Sequence, residues 1–430
     1  MRACLFEDRG AIGLSPLSLT RPTFDLICGT GALAEQQLRV VPHAEVGALV
    51  RPEMAELVRQ ERPEFVVNNT AWLRAAPVVL INGRWLPPLP VRRIATEGPC
   101  VGMVNGSIAY AVVTPELLPV DPLLGFDDCL DRLKRTLPHV SAGGILCQHL
   151  WDLIHANPAR LCQEYEHRDC GEDDDATGWR PAGCGLVGPA DKLLIDPLAQ
   201  VDPLVVFDTT HGPITIESGA VITAFSRIEG PCHIGAGTHV LGAKIRAGTT
   251  LGSCCRIGGE VECSIVQGFT NKYHDGFLGH SYVGAWVNLG AGCQTSDLRN
   301  DYGEVIVPLG GHEIPTGETK LGSMIGDHAK VGVGSLLNTG AVMGAFSQAL
   351  PSGGLLPKSI PCFCSTSNDK LSEHGDFETL LGVAATVMAR RGRALTPTHE
   401  DLYRTVFAAS APERRRSLRE PPRTRLRRAA

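Results

Sequence analysis

The sequence predicts an α/β head followed by a parallel β-helix of hexapeptide repeats, with a helix at the C-terminal end. Three observations carry this. From Ile216 to Val240 an aliphatic residue falls on every sixth position (Ile216, Ile222, Ile228, Ile234, Val240). The count slips by one, resumes at Ile245, Leu251 and Ile257, and returns at Val283 and Leu289 and at Ile325, Val331, Leu337 and Met343. Six is neither the helical nor the simple strand period. It is the period of a β-helix in which each face of a triangular coil takes one hexapeptide. Second, apolar runs alternate with helical stretches over residues 1–140, the pattern of a three-layer α/β domain. Third, Phe377, Leu380, Leu381, Ala384, Val387 and Met388 recur at helical spacing after Pro361, as a helix capping a solenoid end would.

In the head, strands are expected at 3–6, 65–68, 78–82 and 109–113, and helices at Gly31–Arg39 and Glu53–Arg62. A further helix places Leu146, Leu150, Leu153 and Ile154 on one face. The polar, acidic stretch 164–181 reads as a linker or surface loop. The expected division is therefore a head over 1–163, a linker over 164–190, the solenoid over 191–362, a capping helix over 363–395 and a basic, disordered tail over 396–430. Two breaks in the hexad rhythm, Phe269–Phe277 and Asp297–Lys320, are expected to protrude as loops, where function concentrates on a rigid repeat.

Composition narrows the function classes. Aromatics are 5% of the chain, which disfavours a stacking platform for nucleic acid. No apolar run approaches the ~20 residues of a membrane span, and MRACLFEDRG does not read as an export signal. The 15 cysteines are scattered without paired C-x-x-C sets, so no metal site is expected and reduced cytoplasmic thiols are the simpler reading. The net charge of −6 is uneven: residues 413–430 hold eight Arg and two Glu, hence +6, which leaves −12 for the remainder. Such a tail suits an acidic partner or simple solubility.

Polar groups concentrate in 271–303. His274 falls in the first break, and His280, Tyr282, Asn288, Asn300 and Tyr302 follow, with Lys272 and Lys320 supplying positive charge. A histidine near its ordinary pKa suits removal of a proton from an attacking amine or alcohol. An Asn or backbone N–H groups then stabilise an oxyanion. No nucleophilic triad is read, so direct attack by the acceptor is the simpler mechanism. Two plainer readings stand beside these: His274 as a surface-loop histidine, and Asn288 as a rung of a hydrogen-bonded ladder.

GHSYVGAWVNLGAG, then a polar loop and IGDHAKVGVG, resembles the left-handed β-helix acetyltransferases, specifically the bifunctional GlmU family, over about residues 190–350. The resemblance implies a left-handed coil, a homotrimer and acetyl-coenzyme A as acyl donor between neighbouring prisms. It implies His274 as catalytic base, Asn288 as the Asn of the VNIGAG motif, and Lys320 near a basic catalytic position. Lys272, His280, Tyr282, Asn300 and Tyr302 are the expected substrate-binding set. Phe277 departs from the family's Tyr, and the CNYDG motif is replaced by a stretch around Ser296–Tyr302, so the acceptor sugar differs.

In the head, LSPLSLTRPTFDLICGTGALAE (14–35) resembles the sugar nucleotidyltransferase signature, which implies a Rossmann-type nucleotidyltransferase fold. Its phosphate-cradling loop retains only Gly10 and Gly13, Thr23 stands at the Lys position, and Arg84 stands where a magnesium-binding Asp belongs. Loss of these groups should remove much of the phosphoryl-transfer stabilisation. The whole combination resembles the GlmU-like sugar nucleotidyltransferase proteins, whose recurring SLTRP–FDL motif implies a nucleotide or sugar-phosphate site at Ser18, Arg21 and Asp25, with Mg2+ as an optional partner of the head. The alternative is that Arg21 pairs with Asp25 and the motif shapes a loop. Two functions follow: a cytoplasmic sugar-phosphate transferase acting on a sugar phosphate or sugar nucleotide, or a non-catalytic sugar-nucleotide-binding trimeric scaffold.

Overall fold

The computed structural model describes residues 1–95, 97–121, 125–168, 181–351, 353–367 and 370–419. The head is a mixed sheet of seven strands. In spatial order they are His139–Ser141, Cys100–Val104, Ser107–Val113, Val78–Asn82, Arg2–Phe6, Glu45–Leu49 and Val66–Val67. Arg2–Phe6 lies at the parallel heart, and Ser107–Val113 runs antiparallel to both neighbours. Both faces are covered, which is why the central strands are apolar throughout rather than alternating. Ala3, Leu5, Val79 and Ile81 pack toward the helix Ala55–Glu61, whereas Cys4, Phe6, Val78 and Leu80 pack toward the helix Phe126–Thr136. The strands Glu45–Leu49 and Cys100–Val104 and the helix Phe126–Thr136 are absent from the sequence reading. Leu146 proves to belong to a short strand ahead of the helix Leu150–Glu166. Residues 169–180 of the expected linker lie outside the described residues.

From Gly185 the chain climbs in parallel coils. Every aliphatic of the hexad series lies in one continuous core. One face stacks Ile216, Ile234, Leu251, Val266, Val283, Ile325, Met343 and Ile360 in direct register. The slip in the count has a structural cause: the register shifts between Leu241 and Lys244, inside the strand His239–Ile245 that rounds a corner.

The two breaks differ from each other. Phe269–Phe277 does not protrude. Asn271–Lys272 and Phe277–Gly279 are strands of the ladder, and Lys272 takes the inward rung beside Ile257. The aliphatic is missing because a lysine fills its place. Asp297–Lys320 does leave the coil, as an antiparallel hairpin of Ile306–Leu309 with His312–Pro315. Its Val305 and Val307 are buried against Leu150, Trp151 and Ile154 of the head's last helix. The insertion therefore ties the solenoid to the head.

The C-terminal segment also corrects the sequence reading. The final parallel strand, Cys364–Ser367, is closed by an antiparallel partner, Lys370–Glu373. Instead of one cap over 363–395 and a disordered tail, three helices follow: Phe377–Ala389, Pro397–Ala409 and Ala411–Arg419. Pro397 at the first turn and the Thr396 cap mark the start of the second. Leu402, Tyr403 and Val406 give it a buried face, which a reading led by the arginines overlooks. Residues 420–430 lie outside the described residues. These helices cover a column of rings on one solenoid corner. Phe269, Trp286, His328, Phe346 and Phe363 stack coil upon coil, with neighbouring centroids 4.2–6.3 Å apart. Each holds a positive φ between 54° and 62°.

Candidate functional site

The parallel register assembles the site. One coil is 17 residues long where Ile265 pairs with Tyr282 and Phe277 with Gln294. Cys263, His280 and Asp297 are spaced by that same interval, so they fall on consecutive coils at one place on the prism. His280 Nδ1 lies 2.7 Å from Asp297 Oδ2, and both side chains are largely buried. Burial alone would lower the His280 pKa. The Asp297 carboxylate and the neighbouring Cys263 outweigh it and hold the ring up at about 9. Glu262 accepts the His280 backbone N–H and lies 3.9 Å from the Lys320 ammonium. Arg246 bridges Glu260 at 3.3 Å and Glu262 at 3.8 Å. The result is an imidazole with a carboxylate orienter, rimmed by an exposed cation, Lys320. That constellation suits proton transfer.

His274, the expected base, is instead exposed in the turn between Lys272 and Phe277, its ring against Tyr273 at 5.1 Å. Asn288 is a ladder rung: it accepts a 2.8 Å hydrogen bond from Asn271 one coil below. Asn300 and Tyr302 are exposed on the turn that enters the hairpin insertion. Two expected substrate ligands are internal. Lys272 is 3% exposed. Its Nζ donates to the carbonyls of Gly258 at 2.7 Å, Gly276 at 2.8 Å and His274 at 3.3 Å. Burial pulls its pKa down to about 8. It staples the turn from within, and Gly259 is required beside it, since a Cβ there would lie 2.7 Å from Nζ. Tyr282 is fully buried. Its hydroxyl donates to Ile27 O or Gln267 Oε1 and accepts from Ile27 N, all at 2.9 Å, clamping head to solenoid.

The head motif lies in that same seam. Arg21 pairs with Asp327 of the solenoid, not with Asp25. Asp327 also accepts from Thr20 Oγ1 at 2.7 Å and from the Ala285 N–H at 2.8 Å. Burial opposes the charge on Arg21, and Asp327 more than offsets it. Asp25 is held by Arg62 at 2.9 Å, and its pKa is still raised, because burial outweighs the guanidinium. Ser18 is fully buried and its Oγ has no partner. The three residues are thus taken up by packing between head and solenoid, and a long-range partner such as Asp327 was invisible to local reading.

The remnant phosphate loop is filled by the chain itself. A Cβ on Gly10 would lie 2.4 Å from the Arg84 guanidinium, and one on Gly13 would lie 2.1 Å from Gln148 O. Arg84 is buried and bound to both oxygens of Asp8, at 2.8 and 2.7 Å. Asp8 is held below the usual carboxylate range by Arg84 and Asn82, against the opposing effect of burial. A carboxylate so committed, beside a buried guanidinium, does not fit Mg2+. Among the described residues no group of three or more His, Cys, Asp or Glu is placed to hold a metal ion, and no helix is long and apolar enough to cross a membrane.

Residues 3–171 match the family model described as sugar nucleotidyl transferase. A bifunctional protein GlmU of Jannaschia sp. is 39% identical over 102 residues, 23% of this chain and 21% of that one. A bifunctional sugar-1-phosphate nucleotidylyltransferase/acetyltransferase of Sulfurisphaera tokodaii is 34% identical over 98 residues, 22% of this chain and 24% of that one. The chain therefore spans about a quarter or less of the length of these relatives. Among solved structures, a UDP-N-acetylglucosamine acyltransferase of Francisella novicida aligns at a TM-score of 0.28 and 13% identity, over 49% of this chain and 73% of that one.

Proposed function

We propose, from the chain's place among GlmU-like nucleotidyltransferase/acetyltransferase proteins, that its solenoid transfers an acyl group from acetyl-coenzyme A to a sugar amine or hydroxyl. His280 is the general base, and Asp297 orients it. The observation that carries this is the 2.7 Å contact between His280 Nδ1 and Asp297. It fixes the tautomer and leaves the other ring nitrogen to take the acceptor's proton. As that proton leaves, the acceptor attacks the thioester carbonyl and coenzyme A departs as its thiol. Lys320 on the rim favours an anionic sugar phosphate or sugar nucleotide.

The reading moves His280 from the expected substrate-binding set to the role of base in place of His274, and Lys320 from the expected catalytic set to a substrate contact. A left-handed coil, a homotrimer, cytoplasmic residence and the division of head, 1–163, from solenoid, 191–362, belong to it. The head is a docking and structural element in this reading, because Arg21, Asp25 and Arg84 are spent on packing. A base held at about pKa 9 is mostly protonated at neutral pH, so turnover should rise with pH through an inflection near 9. Steady-state kcat/KM for acetyl transfer between pH 6 and 10 tests this, and a profile already flat below pH 8 removes His280 from the role. Asp297→Asn should weaken turnover and shift the inflection toward lower pH.

A further inference from the structure

A second site lies under the C-terminal helices and shares no residue with the His280 cluster. A cavity of about 210 Å³ separates the solenoid corner from the helix Phe377–Ala389. Lys330, Ser347, His328, Gln348 and His374 contribute polar groups, and Phe346, Leu380 and Val383 contribute apolar surface. Lys330 Nζ donates to the Trp286 carbonyl at 2.7 Å. Among the described residues it has no carboxylate partner, and burial alone moves its pKa, down to about 8. Ser347 is fully buried, and among the described residues its Oγ has no partner. His328 is 3% exposed; its Nε2 meets Tyr403 Oη at 3.0 Å, and its Nδ1 has no partner. Burial keeps His328 neutral, its pKa well below the ordinary value.

An ammonium without a counter-ion and three buried hydrogen-bonding atoms without a partner among the described residues, Ser347 Oγ, His328 Nδ1 and His374 Nδ1, are each costly in a protein interior. That all four belong to residues lining one cavity points to an occupant that partners them. Lys330 is the one Lys or Arg among the lining residues, which matches one negative charge, and the apolar side chains suit a short hydrocarbon. At about 30 Å³ per water, the cavity has room for roughly half a dozen heavy atoms. We propose that this cavity binds a small monocarboxylate with a short alkyl tail. Its carboxylate meets Lys330 Nζ and Ser347 Oγ, and its tail lies against Leu380 and Val383. The occupant would hold the C-terminal helices on the aromatic column.

The test is calorimetric titration of the full chain with acetate, propionate, butyrate and inorganic phosphate, beside thermal unfolding in each. Butyrate or propionate should bind best and raise the unfolding temperature, with phosphate weaker. Lys330→Met should lower carboxylate affinity about tenfold, the 1.4 kcal/mol equivalent of one ion pair, while the unliganded variant is at least as stable as wild type. Ser347→Ala should weaken binding several-fold and serves alone if Lys330→Met fails to fold. Absence of carboxylate binding at millimolar concentration, affinity unchanged in Ser347→Ala, or preferential binding of phosphate each overturns the assignment.

Discussion

Replacing Asp327 by Asn tests how the head is joined to the solenoid. The substitution keeps the shape of the side chain and one oxygen for the Ala285 N–H, but an NH2 group replaces the oxygen that accepts from Thr20 and Arg21. The magnitude follows from burial. An exposed pair would contribute less than about 1 kcal/mol. Here the Arg21 and Asp327 side chains are only 15% and 5% exposed, and stranding one member of a buried pair costs about 3–5 kcal/mol. Only the Ala285 hydrogen bond survives in Asn, so the full range of about 3–5 kcal/mol applies, a large share of a net stability of about 5–15 kcal/mol. Arg21→Met in the Asp327→Asn background removes the stranded charge and should recover most of the loss. Urea denaturation of wild type, both single variants and the double variant, followed by tryptophan emission, closes the cycle. A coupling of about 2–3 kcal/mol is expected, at the upper end of neighbouring-residue couplings. A coupling below about 0.5 kcal/mol, the size found for independent sites, would refute the reading of Arg21 as a tether and return it to the ligand-binding role.

Other outcomes follow from single contacts. Lys272→Met removes the ammonium that donates to the Gly258 carbonyl, while the Gly276 carbonyl keeps its bond from the Glu260 N–H, and should cost about 1–3 kcal/mol; a large change in KM with intact stability would restore its role as a substrate ligand. His233 is buried and hydrogen-bonded to Thr215, and burial lowers its pKa from 6.5 to about 4. Its unfolded form therefore binds the proton first, so stability falls as pH drops from 6.5 toward 4. His233→Gln should flatten that slope in acid denaturation, and an unchanged slope rejects the assignment. His280 works in the opposite direction. Its raised pKa makes its contribution to stability full below pH 6.5 and lost as pH climbs through about 9. The unfolding temperature of His280→Gln should accordingly lose less than that of wild type between those limits.

The solenoid was legible because its core repeats. Every aliphatic in the hexad series proved to be buried, and even the slip after Val240 marks a real register shift at Leu241. The break at Phe269–Phe277 misled because a polar residue at a core position looks like an interruption, whereas Lys272 finds backbone carbonyls inside the prism. The site was half legible. His280 stood in the expected set, but its partner Asp297 becomes visible only when the coil length is applied to the sequence: 263, 280 and 297 are one turn apart. The roles of Arg21, Tyr282 and Asp327 depend on contacts across some 250 to 300 residues, which no local pattern encodes. The helices from Pro397 to Arg419 were obscured by their charge, since their apolar positions are few and matter only where they meet the aromatic column.

The central claim is acyl transfer at His280, and release of free coenzyme A thiol from acetyl-coenzyme A in the presence of a panel of amino sugars and their phosphates measures it most directly. A general base contributes about 10²–10⁴-fold. The account predicts turnover by wild type with at least one acceptor, a loss of that order in His280→Ala and near-wild-type rates in His274→Ala. Undiminished turnover in His280→Ala, or a loss confined to His274→Ala, would contradict it.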